Sequence, residues 1–356
     1  MAIIYVSMTS YGRGALVTQD ARERQGSASK SPKFVVDFSG QVSSLATDGA
    51  NQVDGQTNDQ SASQSSAQSV QPLHLTLDEM RHKAGDSLQP KGKKIVLLTA
   101  TDGKGNNGAI QNLIEMVTEN REEYCAYHGY AYQFINISKY HVEGRPPVWA
   151  KIPAIREAFE NNIGAEWVWL LDTDSIIMTP QIDLAKHLLD PQAMETRITY
   201  DSPITLTDGQ PSGLKVSRGI DVNKVDIIIS QDEIGVNAGS ILFRRSDWTM
   251  SLLQKWDDPH NVQQHANEQD ALNHMIVNNE EIRQHVAIVA QRVINAFSVG
   301  GEHMGWKTGD LVVHFAGCWV EDACDTRWKD FWSRRKTVSE TLADLTVQGF
   351  RTILAD

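Results

Sequence analysis

From Lys91 onward the chain alternates short, almost wholly apolar runs with segments of helical periodicity, and this alternation limits the fold more than any other feature. "KKIVLLTA", "YAYQFINIS" and "EWVWLL" read as strands, the first and third buried by their composition. "VDIIIS", "GSILFRR", "HVAIVA" and "LVVHFAG" read as later strands. Helices are expected from Ala109 to His128, through "VWAKIPAIREAFENN" up to Gly164, and in "DWTMSLLQKW" and "NEQDALNHMIV". Such an order implies an α/β domain around a mainly parallel sheet.

The first ninety residues follow a different rule. No Phe, Tyr or Trp occurs between Phe38 and Tyr124, and all nine tryptophans lie at Trp149 or later. "GQTNDQSASQSSAQSVQ" buries too little apolar surface to offset its ordering entropy. Residues 1–90 are therefore expected to form a disordered tail or stem, with a docking fragment near Phe34–Phe38, and residues 91–356 the folded domain.

The net charge of −12 argues against nucleic acid as a partner, because phosphate backbones are bound by clustered Lys and Arg. An anionic substrate would need a metal or local donors. Three cysteines occur; Cys318 and Cys324 can pair, or all three with Cys125 can remain thiols, and both readings stay open. Asn136-Ile137-Ser138 is a glycosylation sequon. No run approaches the roughly 18 apolar residues of a membrane span, and "MAIIYVSM" lacks the pattern of a signal peptide.

Gly103-x-Gly105-x-x-Gly108 has the spacing of a dinucleotide-binding turn, but its context is wrong. The second strand should end in an acid for the ribose, and here it ends in Lys139, Tyr140 and His141. A sharper signal is "WVWLLDTDSIIM", where a buried strand ends in Asp172-Thr173-Asp174. Two carboxylates at this spacing can face one hard cation, Mn²⁺ or Mg²⁺, which would neutralise a diphosphate. Phosphatases of the haloacid dehalogenase type use the same pattern, but need a further acid after a Gly-Asp pair; "TGDLVVHF" offers Gly309-Asp310 and then His314. His314, at the end of an apolar strand, suits a metal ligand presented from a sheet. Asn237-Ala238-Gly239 reads as a small polar turn open to close approach by a ligand. Glu268 and Gln269 open a helix, where an acid is ordinary capping chemistry. In this company they become candidates for a sugar site.

"LLTATDGKG", "ENREEYCAYHGY", "VWAKIPAIREAF", "WVWLLDTDSIIMTP", "VNAGSILFRRSDW", "NEQDAL", "GWKTGDLVVHFAGCW" and "CDTRWKDFW" occur in an order that resembles the fungal galactosyl/mannosyltransferases of glycosyltransferase family 34, a family that includes plant xyloglucan xylosyltransferases. The resemblance covers about Lys93 to Arg335. It implies a GT-A type fold with a single mixed, mainly parallel sheet flanked by helices. It also implies a UDP- or GDP-sugar donor, an oligosaccharide acceptor, Mn²⁺ (or Mg²⁺), retention of anomeric configuration and a Golgi location. Asp172, Asp174 and His314 are then the metal ligands. Thr99, Ala100, Lys151, Asp172, Thr173, Asp174, Asn237, Gly239 and Gly317 are expected to line the donor, and Glu268, Gln269 and Asn237 to lie at the reacting carbon.

Plant members carry a Lys five residues after the His, where it can reach the diphosphate; here Trp319 stands there, leaving that charge to the metal, to N–H groups around Gly317 or to Lys307. For retention, a front-face displacement with Gln269 supplying a dipole is the favoured route; a double displacement with Glu268 as nucleophile is the other. An inactive subunit of a mannan-synthesising glycosyltransferase complex is the competing class.

Overall fold

The seven residues Ile95–Thr101 form β1, and every one of them is buried. The structure, a computed structural model, describes residues 94–105 and 108–344. The proposed tail, its Phe34–Phe38 fragment and the chain end beyond 344 lie outside the described residues.

β1 pairs in parallel with β2 (Ala131–Asn136) on one side and β3 (Trp167–Leu171) on the other. β3 then meets β8 (Gly235–Arg244) antiparallel, β8 meets β7 (Ile227–Asp232) antiparallel, and β7 meets β9 (Val286–Ala290) in parallel. Among the described residues the central sheet therefore has six strands in the order β2-β1-β3-β8-β7-β9. Five run in one direction and β8 alone is reversed. The carboxyl ends of β1, β3, β7 and β9 thus share one edge, where open α/β sheets bind ligands.

Two smaller sheets accompany the central one. β4 (Ser175–Ile177), β10 (Ala296–Phe297) and β11 (Val312–His314) form a three-stranded sheet in the order β10-β11-β4. β5 (Pro203–Thr205) and β6 (Pro211–Lys215) form a hairpin. The expected strand "LVVHFAG" belongs to the three-stranded sheet rather than the central one. That placement carries His314 to the far side of the acidic turn: Val313 faces Ile176, and His314 faces Ser175.

The helices close the two faces. The helix Leu113–His128 starts later than the periodicity predicts, because Asn112 takes the left-handed conformation at φ 55°. Gly103, Gly105 and Gly108 consequently lie in a turn well before that helix, and not at a strand-helix junction that could cradle a pyrophosphate. The helix Lys151–Asn161 follows a single 3₁₀ turn, Pro147–Ala150. Ser246 caps the helix Asp247–Trp256 by accepting from the Thr249 amide at 3.0 Å. A second apolar cluster forms where Ile176, Val313 and Phe315 meet Trp328 and Phe331 of the helix Cys324–Arg334. Cys318 and Cys324 are joined by a disulfide that ties this helix to the turn after His314, and Cys125 is a buried thiol. No helix among the described residues is long and apolar enough to cross a membrane.

Candidate active site

Asp172 and Asp174 stand where β3 ends and β4 begins, so the turn between two strands sets their positions. The turn is held through its backbone. Asp172 donates its amide to the Gly239 carbonyl of β8 at 2.8 Å, and the Phe315 amide donates to the Asp174 carbonyl at 2.9 Å. Beneath it lies Arg121, with no exposed surface. Its guanidinium donates to the carbonyls of Leu171 at 3.0 Å and Asp172 at 2.5 Å, and to the Thr99 hydroxyl. Burial pulls the Arg121 guanidinium down to about 10, so it stays charged at neutral pH. One helical position earlier, Asn120 donates to the Ile177 carbonyl at 3.0 Å and accepts from the Ile177 amide at 2.8 Å, completing β4 as a neighbouring strand would.

The ligand atoms of Asp172, Asp174 and His314 all lie within 4.8 Å of one another, the sole such acid–histidine group among the described residues. Nε2 of His314 is 3.4 Å from an Asp174 carboxylate oxygen, while its Nδ1 is buried without a hydrogen-bond partner. Burial works against the charge on Asp174, but the His314 imidazole and the Lys151 ammonium outweigh it and hold the carboxyl below its usual range. Burial likewise works against a proton on His314, and Asp174 with Asp172 beyond it outweighs that effect. Two carboxylates and one imidazole, with one ring nitrogen lacking a hydrogen-bond partner, fit a divalent cation: hard oxygens with one borderline nitrogen suit Mn²⁺ or Mg²⁺.

Lys151, at the start of its helix, sits between two acids. Its ammonium is 2.6 Å from Asp172 and 3.3 Å from Glu268, and these carboxylates outweigh the burial that opposes its charge. Glu268 opens the helix Glu268–Asn278, which Asn267 caps by accepting from the Asp270 amide at 2.8 Å. Gln269 accepts from the Ala238 amide at 2.8 Å, leaving its NH₂ to serve as a donor.

Asn237-Ala238-Gly239 is a strand segment within β8, contrary to the turn expected from its small polar residues. Asn237 donates to Asp232 at 2.8 Å and accepts from Gly239 at 3.0 Å and Asn295 at 2.8 Å. Gly239 is needed for a different close approach from the one its sequence suggests: a Cβ there would lie 2.2 Å from Cε1 of His314, so the imidazole itself packs on this glycine. The Thr99 hydroxyl is buried against Arg121 and Tyr132, and Ala100 next to it is also buried. Thr173 is half-buried in the acidic turn. Gly317 takes a left-handed φ of 72° after β11 and leads into the 3₁₀ turn Cys318–Glu321.

The residues of the phosphatase reading do not assemble. Asp310 precedes β11, at the end opposite His314, and is engaged by Arg292 through two hydrogen bonds of 2.8 Å. Lys307 points to Glu302 at 3.4 Å. Arg121 and Asn120 were missed as site residues. Their signal was present: Val117, Asn120, Arg121, Tyr124 and Cys125 share one buried helical face, so two polar groups stand on an apolar stripe.

Residues 91–325 match the galactosyl transferase GMA12/MNN10 family. The chain belongs to this family of hexosyltransferases. It is 36% identical over 267 residues to the probable alpha-1,2-galactosyltransferase gmh2 of Schizosaccharomyces pombe, covering 72% of this chain and 76% of that one. It is 32% identical over 250 residues to the probable alpha-1,6-mannosyltransferase MNN10 of Saccharomyces cerevisiae, covering 63% of this chain and 61% of that one. It is also similar to a crystal structure of a glycosyltransferase involved in the glycosylation of the major capsid of PBCV-1. The TM-score there is 0.42 at 16% identity, over 67% of this chain and 98% of that one. The mixed, mainly parallel sheet with flanking helices is the architecture expected of the GT-A type.

Proposed function

We propose that the chain transfers galactose or mannose from a UDP- or GDP-sugar to an oligosaccharide acceptor, with retention of configuration and with a divalent cation, Mn²⁺ by preference. The convergence of Asp172, Asp174 and His314 within 4.8 Å, with Lys151 and Glu268 adjoining, carries this reading. The three ligand residues would hold the cation, which supplies charge neutralisation to a leaving diphosphate. Lys151 orients both Asp172 and Glu268 and adds positive charge to a strongly acidic pocket. The free amide hydrogens of Gln269 offer a dipole to the sugar, and the Ala238 amide fixes that side chain in place. Glu268 is tied to Lys151, which suits a positioning role better than attack on the anomeric carbon. The acceptor hydroxyl then attacks from the face the diphosphate leaves, and its proton passes to the leaving phosphate. A Golgi location and membership of a glycosyltransferase complex accord with this activity and belong to the same proposal.

The test is release of nucleoside diphosphate from UDP-galactose and GDP-mannose, with Mn²⁺ and with EDTA, followed by NMR of the product anomer. Metal-dependent release with a retained α-anomer is expected. Equal turnover in EDTA would overturn the metal site, and an inverted product would overturn the retaining mechanism.

A further inference from the structure

One acid at the carboxyl edge of the sheet enters the arrangement above only as the acceptor that holds Asn237. Asp232 closes β7, on the edge where Asp172 leaves β3. It is half-buried, and no ion pair among the described residues includes it. One of its carboxylate oxygens accepts from the Ile234 amide at 2.8 Å and the other from Asn237 Nδ2 at 2.8 Å. A carboxylate offers about four acceptor positions, so about two remain.

The position of Asp232 follows from a chain of contacts. Asn237 bridges Asp232 to the Gly239 amide, and the imidazole of His314 packs on Gly239. Asp232 is therefore joined through two residues to a proposed metal ligand, on the strand beside the one that Gln269 holds. Burial pushes its carboxyl above the ordinary range, and the hydrogen bonds from Asn237 and Ile234, then the nearby His314, draw it partly back. An acid in this setting, with no cation to compensate it, calls for neutral hydrogen-bond donors. A pyranose presents a ring of such donors, its hydroxyls, and a hexose joined to a diphosphate at the metal ligands would lie beside β8.

The geometry points to Asp232 as a residue that reads the donor hexose, accepting a hydrogen bond from one of its hydroxyls and so distinguishing sugar epimers. This assignment rests on the nucleotide-sugar reading above and adds a specificity residue to it.

The experiment is equilibrium binding, by calorimetry, of the accepted sugar nucleotide and its single-deoxy analogues to the full chain and to Asp232→Asn. Turnover and acceptor KM are measured alongside. In the native protein, loss of the read hydroxyl should weaken donor binding by about 10- to 100-fold, as expected for a hydrogen bond to a charged group. In Asp232→Asn that one penalty should shrink several-fold, with the other deoxy penalties unchanged. If the donor pattern stays native and only acceptor KM rises, Asp232 does not read the donor hexose, and the assignment is overturned. Native deoxy penalties together with a native acceptor KM in the variant would overturn it, leaving Asp232 only to hold Asn237. Should Asp232→Asn not fold, Asp232→Ser keeps an acceptor for the Ile234 amide and replaces it. Donor binding without turnover would count against the transfer reaction and leave the test of Asp232 intact.

Discussion

The Asp172–Ser175 turn and the Asn237–Gly239 segment meet at one site, yet they are held by different means. The turn is held from outside: Arg121 and Asn120 reach into it from a helix about 50 residues earlier, and β11 closes it from the other side. The Asn237–Gly239 segment is held within its strand: Asn237 pairs with Ser230 of β7 beside a shift of register, the Gly239 carbonyl accepts from the Asp172 amide, and Asp232, Gln269 and Asn295 are added partners. A turn braced by one buried cation should fail when that cation is lost. A strand that shares its support among several groups should lose function by degrees.

The largest effect should come from the turn's own carboxylates. Asp174→Asn keeps the shape of the side chain but removes the charge that His314 and Lys151 face. Turnover should fall by at least about 10³-fold, comparable to the loss of a strong electrostatic stabiliser, and Mn²⁺ affinity measured by titration should fall with it. Native Mn²⁺ affinity in this variant would remove Asp174 from the ligand set.

Next is the brace. Arg121→Met would leave the buried carbonyl of Leu171 and the half-buried one of Asp172 without their donor. Each buried acceptor left unsatisfied costs about 1–3 kcal/mol, so urea unfolding should show a large drop in midpoint. A variant of native stability would mean that the turn is held by its strands alone, and the contrast between the two segments would disappear.

These two predictions mark what was readable in the residues and what was not. Asp172 and Asp174 stood out because carboxylates rarely end a wholly apolar strand, and His314 because it ends another. The alternation of apolar runs located every strand of the central sheet. Arg121 gave only the signal of a polar group on a buried helical stripe, because its partners are carbonyls that only the fold brings near. Asn237-Ala238-Gly239 carries turn-forming residues, and inside β8 they fall where the pairing with β7 shifts register, an irregularity in a strand rather than a turn between elements. The Thr99 hydroxyl gave no sign of its partner for a related reason: in a strand buried on both faces it accepts from Arg121, which only the fold brings near.

The strand segment gives a smaller effect. Gln269→Ala removes both the bond from the Ala238 amide and the proposed dipole at the sugar. With Asp232 and Asn295 still holding Asn237, stability should change little, while turnover falls on the order of 10²-fold. Loss of both together would show that Gln269 supports the segment alone. Glu268→Gln should retain part of its activity, since the amide can still accept from Lys151. A dead variant rescued by azide, with an inverted glycosyl azide as product, would instead make Glu268 the nucleophile.

The smallest expected effect lies beyond both segments, in the 3₁₀ turn Cys318–Glu321, where Trp319 is 38% exposed. The disulfide to Cys324 fixes this turn, so a side chain at 319 leaves from a set place four backbone positions after Phe315, whose amide bonds Asp174. Trp319→Lys puts a mobile ammonium where the diphosphate is expected to pass. An exposed charge pair is worth about 0.2–1 kcal/mol and is screened by salt. Binding of the nucleoside diphosphate product should therefore tighten only about two- to fivefold at low ionic strength. The gain should vanish toward 1 M salt, where the screening length is about 3 Å. A gain that survives high salt would mean that the lysine enters a desolvated pocket, and that the diphosphate lies deeper against the Gly317 turn than the exposure of Trp319 implies. No gain at any salt would separate this turn from the donor altogether and confine the phosphate charge to the side braced by Arg121.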